Sequence, residues 1–323
     1  MDRPLRELLR IFRSTPDKRR AHDLSSQILK DVAGDPSCLT WALRSKITST
    51  SASLCSGNYP VVSLPLDSNP WFDLVLNCWI PLPDCSTDIS TKAIHHHGTM
   101  LLTTVTAFGP GYHHMTFTHP QMVDPDRELF SMKLIESAPH PEQHLAFVDS
   151  YIAHVPLYVP SLTITLALWS SQDPTSWRDH LKRVPLLQKN RERLKQMALN
   201  TGLSKQLAIK VVDYFDFYPT EEGFRGMKDR KEFPLGPNED FLQSFFYVLQ
   251  RTGNDDLAEL IEDSAGRQSI PNPARFEGLM AQLQSGDPIE GKLSADHFGV
   301  SYANFSKSQI EAALTISPTN MSQ

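Results

Sequence analysis

Long apolar runs, paired cysteines and an excess of positive charge are all missing from this chain of 323 residues. No stretch approaches the ~20 apolar residues a membrane-spanning helix needs, so no membrane partner is expected. The start, MDRPLRELLRIFRSTPDKRR, alternates charge with Leu and Ile at helical spacing, unlike the basic-then-apolar layout of a secretory leader. A soluble, cytoplasmic protein is therefore expected. The formal net charge of −6 offers no general basic face for phosphate backbones, so nucleic acid is not an expected partner. Cys38, Cys55, Cys78 and Cys85 lack CxxC spacing and read as free thiols, with Cys78 in a strand-like run as a core residue. Also missing are a G-x-S-x-G elbow, a Walker A loop and G-x-G-x-x-G. Serine hydrolase, P-loop and dinucleotide-binding chemistry lose their usual signatures with them.

What is present is a globular composition, 40% hydrophobic and 21% charged, laid out in three regions. Residues 1–48 read as a helical segment: Leu5, Leu8, Leu9 and Phe12 form one stripe, and a second helix runs from His22 to Val32 before the stop AGDP. The basic residues Lys18 to Arg20 read as a solvated helix end. Residues 49–172 change to short segments rich in Val, Leu, Thr and aromatics between turn clusters. WFDLVLNCWI, LLTTVTAF, HHMTFTH, LFSMKLIES and LTITLALWSS are the expected strands. In the last, Leu162, Ile164, Leu166 and Leu168 alternate with Thr163, Thr165, Ala167 and Trp169, a period of two. Such a run of strands without a long helix predicts a sandwich or closed barrel. Residues 173–323 turn helical again, with SWRDHLKRVPLLQKNRERLKQMALN, SKQLAIKVVDYFDFY, NEDFLQSFFYVLQR (Asn238 its cap), DDLAELIEDS and ARFEGLMAQLQS as expected helices. That region suits a packing role: a cap on the barrel, a lid, or the surface of a homodimer.

Chemistry concentrates in KAIHHHGTMLLTTVTAFGPGY, where three of the twelve histidines stand together. On a strand, residues i and i+2 share a face, so His95 and His97 project together and His96 points away. Two imidazoles side by side suit a divalent metal, which then needs a third ligand from elsewhere. His113, His114, His119, His140, His144 and His154 are the candidates. His154 leads into the alternating strand after Leu162, while one of His113 and His114 faces the same interior. His140 and His144, in APHPEQH, read as an exposed loop. Glu128, Glu136 and Asp149 read as surface acids.

The run FDLVLNCWIP…IHHHG…LLTTVTAFGPG, followed by YIAHVPLYVPSLTITLALWSS, resembles the two halves of the cupin motif, in its cysteine dioxygenase form. The likeness covers roughly residues 59–171. It implies a mainly β cupin-type barrel (jelly roll) with flanking α-helical N- and C-terminal segments. It further implies a three-histidine non-heme Fe(II) site at His95, His97 and His154, with Zn or another divalent ion as the alternative. The chain departs from that pattern in three places. No acid follows HHHG; no Arg follows Tyr59, which precedes Pro60, Val61 and Val62; and Thr165, Ala167 and Trp169 stand where a Ser-His-Tyr relay would lie. These departures leave cysteine unsupported as the substrate, and the expected partners are an unidentified small molecule and O2, in a pocket of Val61, Leu102, His114 and Trp169. Tyr112 and Tyr151 are the candidate catalytic hydroxyls. The expected activity is a dioxygenase-like oxygenation. Alternatives are a non-redox isomerase, lyase or hydrolase on the same site, and a non-catalytic barrel with an assembly role.

Overall fold

Alternation along the strand expected at Leu162 decides how the molecule is layered. In the computed structural model, which describes residues 1–48, 61–81, 87–172, 214–227, 239–265, 270, 272–291 and 305–316, this strand sits in the middle of a five-stranded antiparallel sheet. The sheet comprises β1 (Val61–Ser68), β2 (Asp73–Trp79), β4 (Met100–Phe108), β9 (Leu145–Val148) and β11 (Thr163–Ser171), in the order β1-β2-β11-β4-β9. Ile164, Leu166 and Leu168 join Val62, Leu64, Leu74, Leu76 and Cys78 on its outer face, in one apolar core with the helices. Each fully buried aliphatic side chain there contributes roughly 1.5–3 kcal/mol. Cys38 lies in this core too, and burial pushes its thiol up to about 12.

The inner face of that sheet meets a second one. It is built from β3 (Ile94–His95), β5 (Tyr112–Phe117), β6 (Gln121–Asp124), β7 (Leu129–Ser131), β8 (Leu134–His140), β10 (Ala153–Pro156), β12 (Asp216–Thr220) and β13 (Gly223–Met227), ordered β6-β7-β13-β12-β3-β10-β5-β8. Across the gap the Thr104 hydroxyl bonds His140 at 2.9 Å, and the rings of Trp79 and Tyr112 lie 5.3 Å apart. Two curled antiparallel sheets face to face, with helices on the outside, form the jelly roll expected from the sequence.

The helices are α1 (Asp2–Ser14), α2 (Lys18–Ala33), α3 (Pro36–Thr48), α4 (Glu239–Arg251), α5 (Ala258–Ala265), α6 (Pro273–Ser285) and α7 (Lys307–Leu314). Phe245 and Phe246 of α4 are fully buried. The sequence placed a helix through SKQLAIKVVDYFDFY, and its last residues instead enter β12. This strand pairs with β3 and β13, so the chain after residue 173 completes the second sheet as well as supplying helices. SWRDHLKRVPLLQKNRERLKQMALN, Asn238, Cys55, Cys85, Tyr59 and Pro60 lie outside the described residues.

The expected solvated basic end, Lys18 to Arg20, is in part buried. Lys18 Nζ donates to the carbonyls of Phe12 (2.6 Å) and Thr15 (2.8 Å) and lies 5.2 Å from the Trp71 ring. It thereby closes the carbonyl end of α1, where the helix dipole favours a cation. Arg19 grips Asp149 through Nε, 2.7 and 2.9 Å from the two carboxylate oxygens. Buried charged hydrogen bonds such as those of Lys18 contribute about 1.5–3 kcal/mol, and the more exposed Arg19–Asp149 pair less, about 0.2–1 kcal/mol. Lys18→Met, which keeps the stem and loses the ammonium, is expected to lower the unfolding free energy read from a urea titration by about 1.5–3 kcal/mol; an unchanged value would show the cap to be idle. Among the described residues no helix is long and apolar enough to cross a membrane.

Candidate metal centre

Strand β3 is only two residues long, and its one pairing with β10 sets His95 opposite His154. His97 therefore stands beyond the strand rather than on it, a correction to the expected strand-borne pair. A tight turn brings it back: Gly98 adopts φ +62°, which a side chain would resist, and its N–H donates to His96 Nδ1 at 3.0 Å. The rings of His95 and His97 end 4.7 Å apart, and those of His97 and His154 4.9 Å apart. His96 turns the other way as expected; its Nε2 donates to the Tyr214 carbonyl at 2.9 Å.

His95, His97 and His154 each offer a ring nitrogen, and the three atoms lie within 4.8 Å of one another. His97 Nε2 and His154 Nε2 are 2.8 Å apart. Held at about 2.1 Å from one ion, two nitrogens at that separation subtend an angle of roughly 84°. The donor set thus fits a divalent metal. His95 Nδ1 donates to the Ala93 carbonyl at 3.0 Å, which fixes the tautomer with a lone pair on Nε2. His95 and His154 are buried and His97 half-buried, so an ion there would be reached from the His97 side.

The other expected residues fall into place unequally. Trp169 packs edge-on against His97 with ring centres 4.6 Å apart, and beside it Leu102, Val148 and Ala167 form a small apolar cluster. Val61 stands opposite Trp79 on the edge strand β1. The rest of the inner wall is less apolar than expected, for Thr165 accepts from the Trp79 indole at 2.9 Å and Ser63 donates to Asn77 at 3.1 Å. Tyr112 packs on Trp79 and on the rings of His114 and His140, 5.9 and 5.2 Å away. Burial pushes its phenol well above the usual range, so it stays protonated. Tyr151 lies against His96 and His119, on the far side of the HHHG turn from the pair, with φ +60° and its N–H on the Gly98 carbonyl.

Two further histidines are buried against expectation: His140, expected in an exposed loop, and His22, given no role beyond opening a helix. His140 lies at the end of β8. Its Nε2 meets the Thr104 hydroxyl and its Nδ1 meets His144 Nδ1, both at 2.9 Å. Burial, with His114 and His144 adding to it, pushes His140 down to about 3, and burial brings His114 to about 4. His22 sits in α2 on the outer face, bonded to Thr103 (2.7 Å) on β4 and Ser170 (2.9 Å) on β11. No local pattern announces either, because each is defined by contacts distant in sequence. Glu128 accepts from the Tyr214 hydroxyl at 3.1 Å, and Asp149 is taken by Arg19.

No protein-family model matches the chain, and no curated protein matches it. Among solved structures, it is similar to ectoine synthase from P. lautus, with 9% identity over 40% of this chain and 75% of that one and a TM-score of 0.27. An uncharacterized conserved protein with a double-stranded beta-helix domain from Klebsiella pneumoniae shares 9% identity over 39% of this chain and 90% of its own, with a TM-score of 0.24. For hydroxypropylphosphonic acid epoxidase from S. wedmorenis the values are 16%, 33%, 49% and 0.22. These are partial likenesses, from which nothing about activity follows.

Proposed function

We propose that the protein is a metal-dependent oxygenase that holds Fe(II) among His95, His97 and His154 and uses O2 on a small molecule. The observation that carries this reading is the convergence of three ring nitrogens within 4.8 Å at the inner wall of the jelly roll. Three neutral imidazoles would leave a bound ferrous ion its full charge and open positions for substrate and O2. Iron is chosen on the motif resemblance; the donor set itself also suits Zn, which would support a non-redox isomerase, lyase or hydrolase.

The chain's own residues have separate tasks in this reading. Leu102, Val148, Ala167 and Trp169 exclude water on the His97 side. Tyr112, kept protonated by burial, holds a proton at its oxygen inside the barrel. Asn77 and Thr165 face the same interior as neutral hydrogen-bonding groups.

Protein prepared without a tag is expected to carry stoichiometric divalent metal, and His97→Ala to lose most of it. Equal metal content in the two would sink the reading. Reconstitution with Fe(II) under anaerobic conditions, then exposure to a library of small molecules in an oxygen-electrode cell, separates oxygenase from non-redox chemistry. Substrate-dependent O2 uptake is expected with iron and absent with zinc.

A further inference from the structure

Behind the three imidazoles lies a fourth that points at none of the open space. His114 Nε2 is 2.8 Å from His154 Nδ1, the nitrogen on the opposite side of the ring from the one that meets His97. His154 has two ring nitrogens and, when neutral, one proton. For its Nε2 to present a lone pair to an ion, the proton must sit on Nδ1, and something must accept it. His114 Nε2 is that acceptor, which requires the His114 proton on Nδ1.

The fold holds His114 so that it accepts at this angle. Pro156 of β10 pairs opposite His114 on β5, which brings the two strands' side chains together beside His154. Its ring stands at 89° to that of His154, stacks on His140 with centres 6.5 Å apart, and abuts Tyr112 edge-on. His140 is itself clasped by Thr104 and His144. His113, next in the chain, faces away and bonds Ser137 at 2.7 Å.

Resting on the metal-centre reading above, we infer that His114 is a positioning residue: it fixes His154 as the Nε2-donating tautomer and is not itself a ligand. Its use in place of a carboxylate adds no negative charge behind the centre.

Metal affinity, measured by competition of Zn(II) or Co(II) against a chromophoric chelator, tests this without any substrate. Loss of such an outer partner typically weakens binding about 10–100-fold. His114→Leu is expected to show a loss of that size, while His114→Gln, whose side-chain carbonyl also accepts from His154, recovers most of it. His113→Ala is expected to bind as the wild type does. Nitrogen-15 shifts of the metal-free protein give a second readout: His154 is the Nδ1–H tautomer in the wild type and mixed in His114→Leu. A Leu variant that binds as tightly as the wild type overturns the inference, as does a Gln variant as weak as Leu. A wild type that takes up no metal overturns instead the reading on which the inference rests.

Discussion

Lowering the pH from 6.5 to 4 is expected to remove on the order of 3 kcal/mol of stability through His22 alone. Burial pushes this imidazole from 6.5 down to about 4, with Asp149 raising it and Lys18 lowering it to a smaller extent. Between those values the unfolded chain binds a proton that the folded chain refuses. Stability therefore stays whole above the unfolded value and declines as the pH falls toward the folded one. The structural cause is plain: both ring nitrogens are engaged, with Thr103 and Ser170, and no acid stands within hydrogen-bond reach of either in that pairing. His140, pushed lower still, extends the loss below pH 4. Denaturant titrations at several pH values check this. The wild type should lose stability steeply across the window, and the difference between it and His22→Gln should grow from acid to neutral pH. A difference that is flat with pH would dismiss His22 as the source.

Gly111→Ala is expected to cost more than 3 kcal/mol and to weaken metal uptake together with it. The residue has φ +83°, and a Cβ placed on it would lie 2.0 Å from the His140 carbonyl oxygen. Left-handed backbone alone costs an L-residue roughly 1–2 kcal/mol. The overlap is worse, because the obstacle is backbone of the paired strand and cannot rotate away. Relief requires β5 and β8 to separate at their Tyr112–His140 pairing, two residues from His114. Calorimetry and the chelator competition would read the two effects. A variant within about 1 kcal/mol of the wild type would show that the turn has more room than its geometry allows.

How much of this was legible beforehand follows from the range over which each signal acts. The alternation in LTITLALWSS is local and marks β11 as a strand, while the packing of Ile164, Leu166 and Leu168 against the helices appears only in the structure. The i, i+2 reasoning for His95 and His97 named two rings that the structure does bring together, but by another route, since the strand stops at His95 and the Gly98 turn does the remaining work. The resemblance supplied His154, which the register sets opposite His95. Strands β12 and β13 were hidden because DFYPT and GFRGM are short and contain Pro or Gly, so no periodicity develops. His22 and His140 carry no local mark at all. A buried histidine in a helix looks like any polar residue until its two hydroxyl partners, 81 and 148 positions away, are in place.

The pairing of β3 with β12 reaches beyond the static structure. His96 is tied to the Tyr214 carbonyl, 118 positions further along the chain. At the usual pace of about 5–20 residues per second, a ribosome needs roughly 6–24 s to make that stretch. For this interval the histidine tripeptide lacks the His96–Tyr214 tie and the pairing with β12 that complete its final geometry. The geometry proposed for the metal centre can therefore be completed only once about two thirds of the chain, through Tyr214 of 323 residues, has been made.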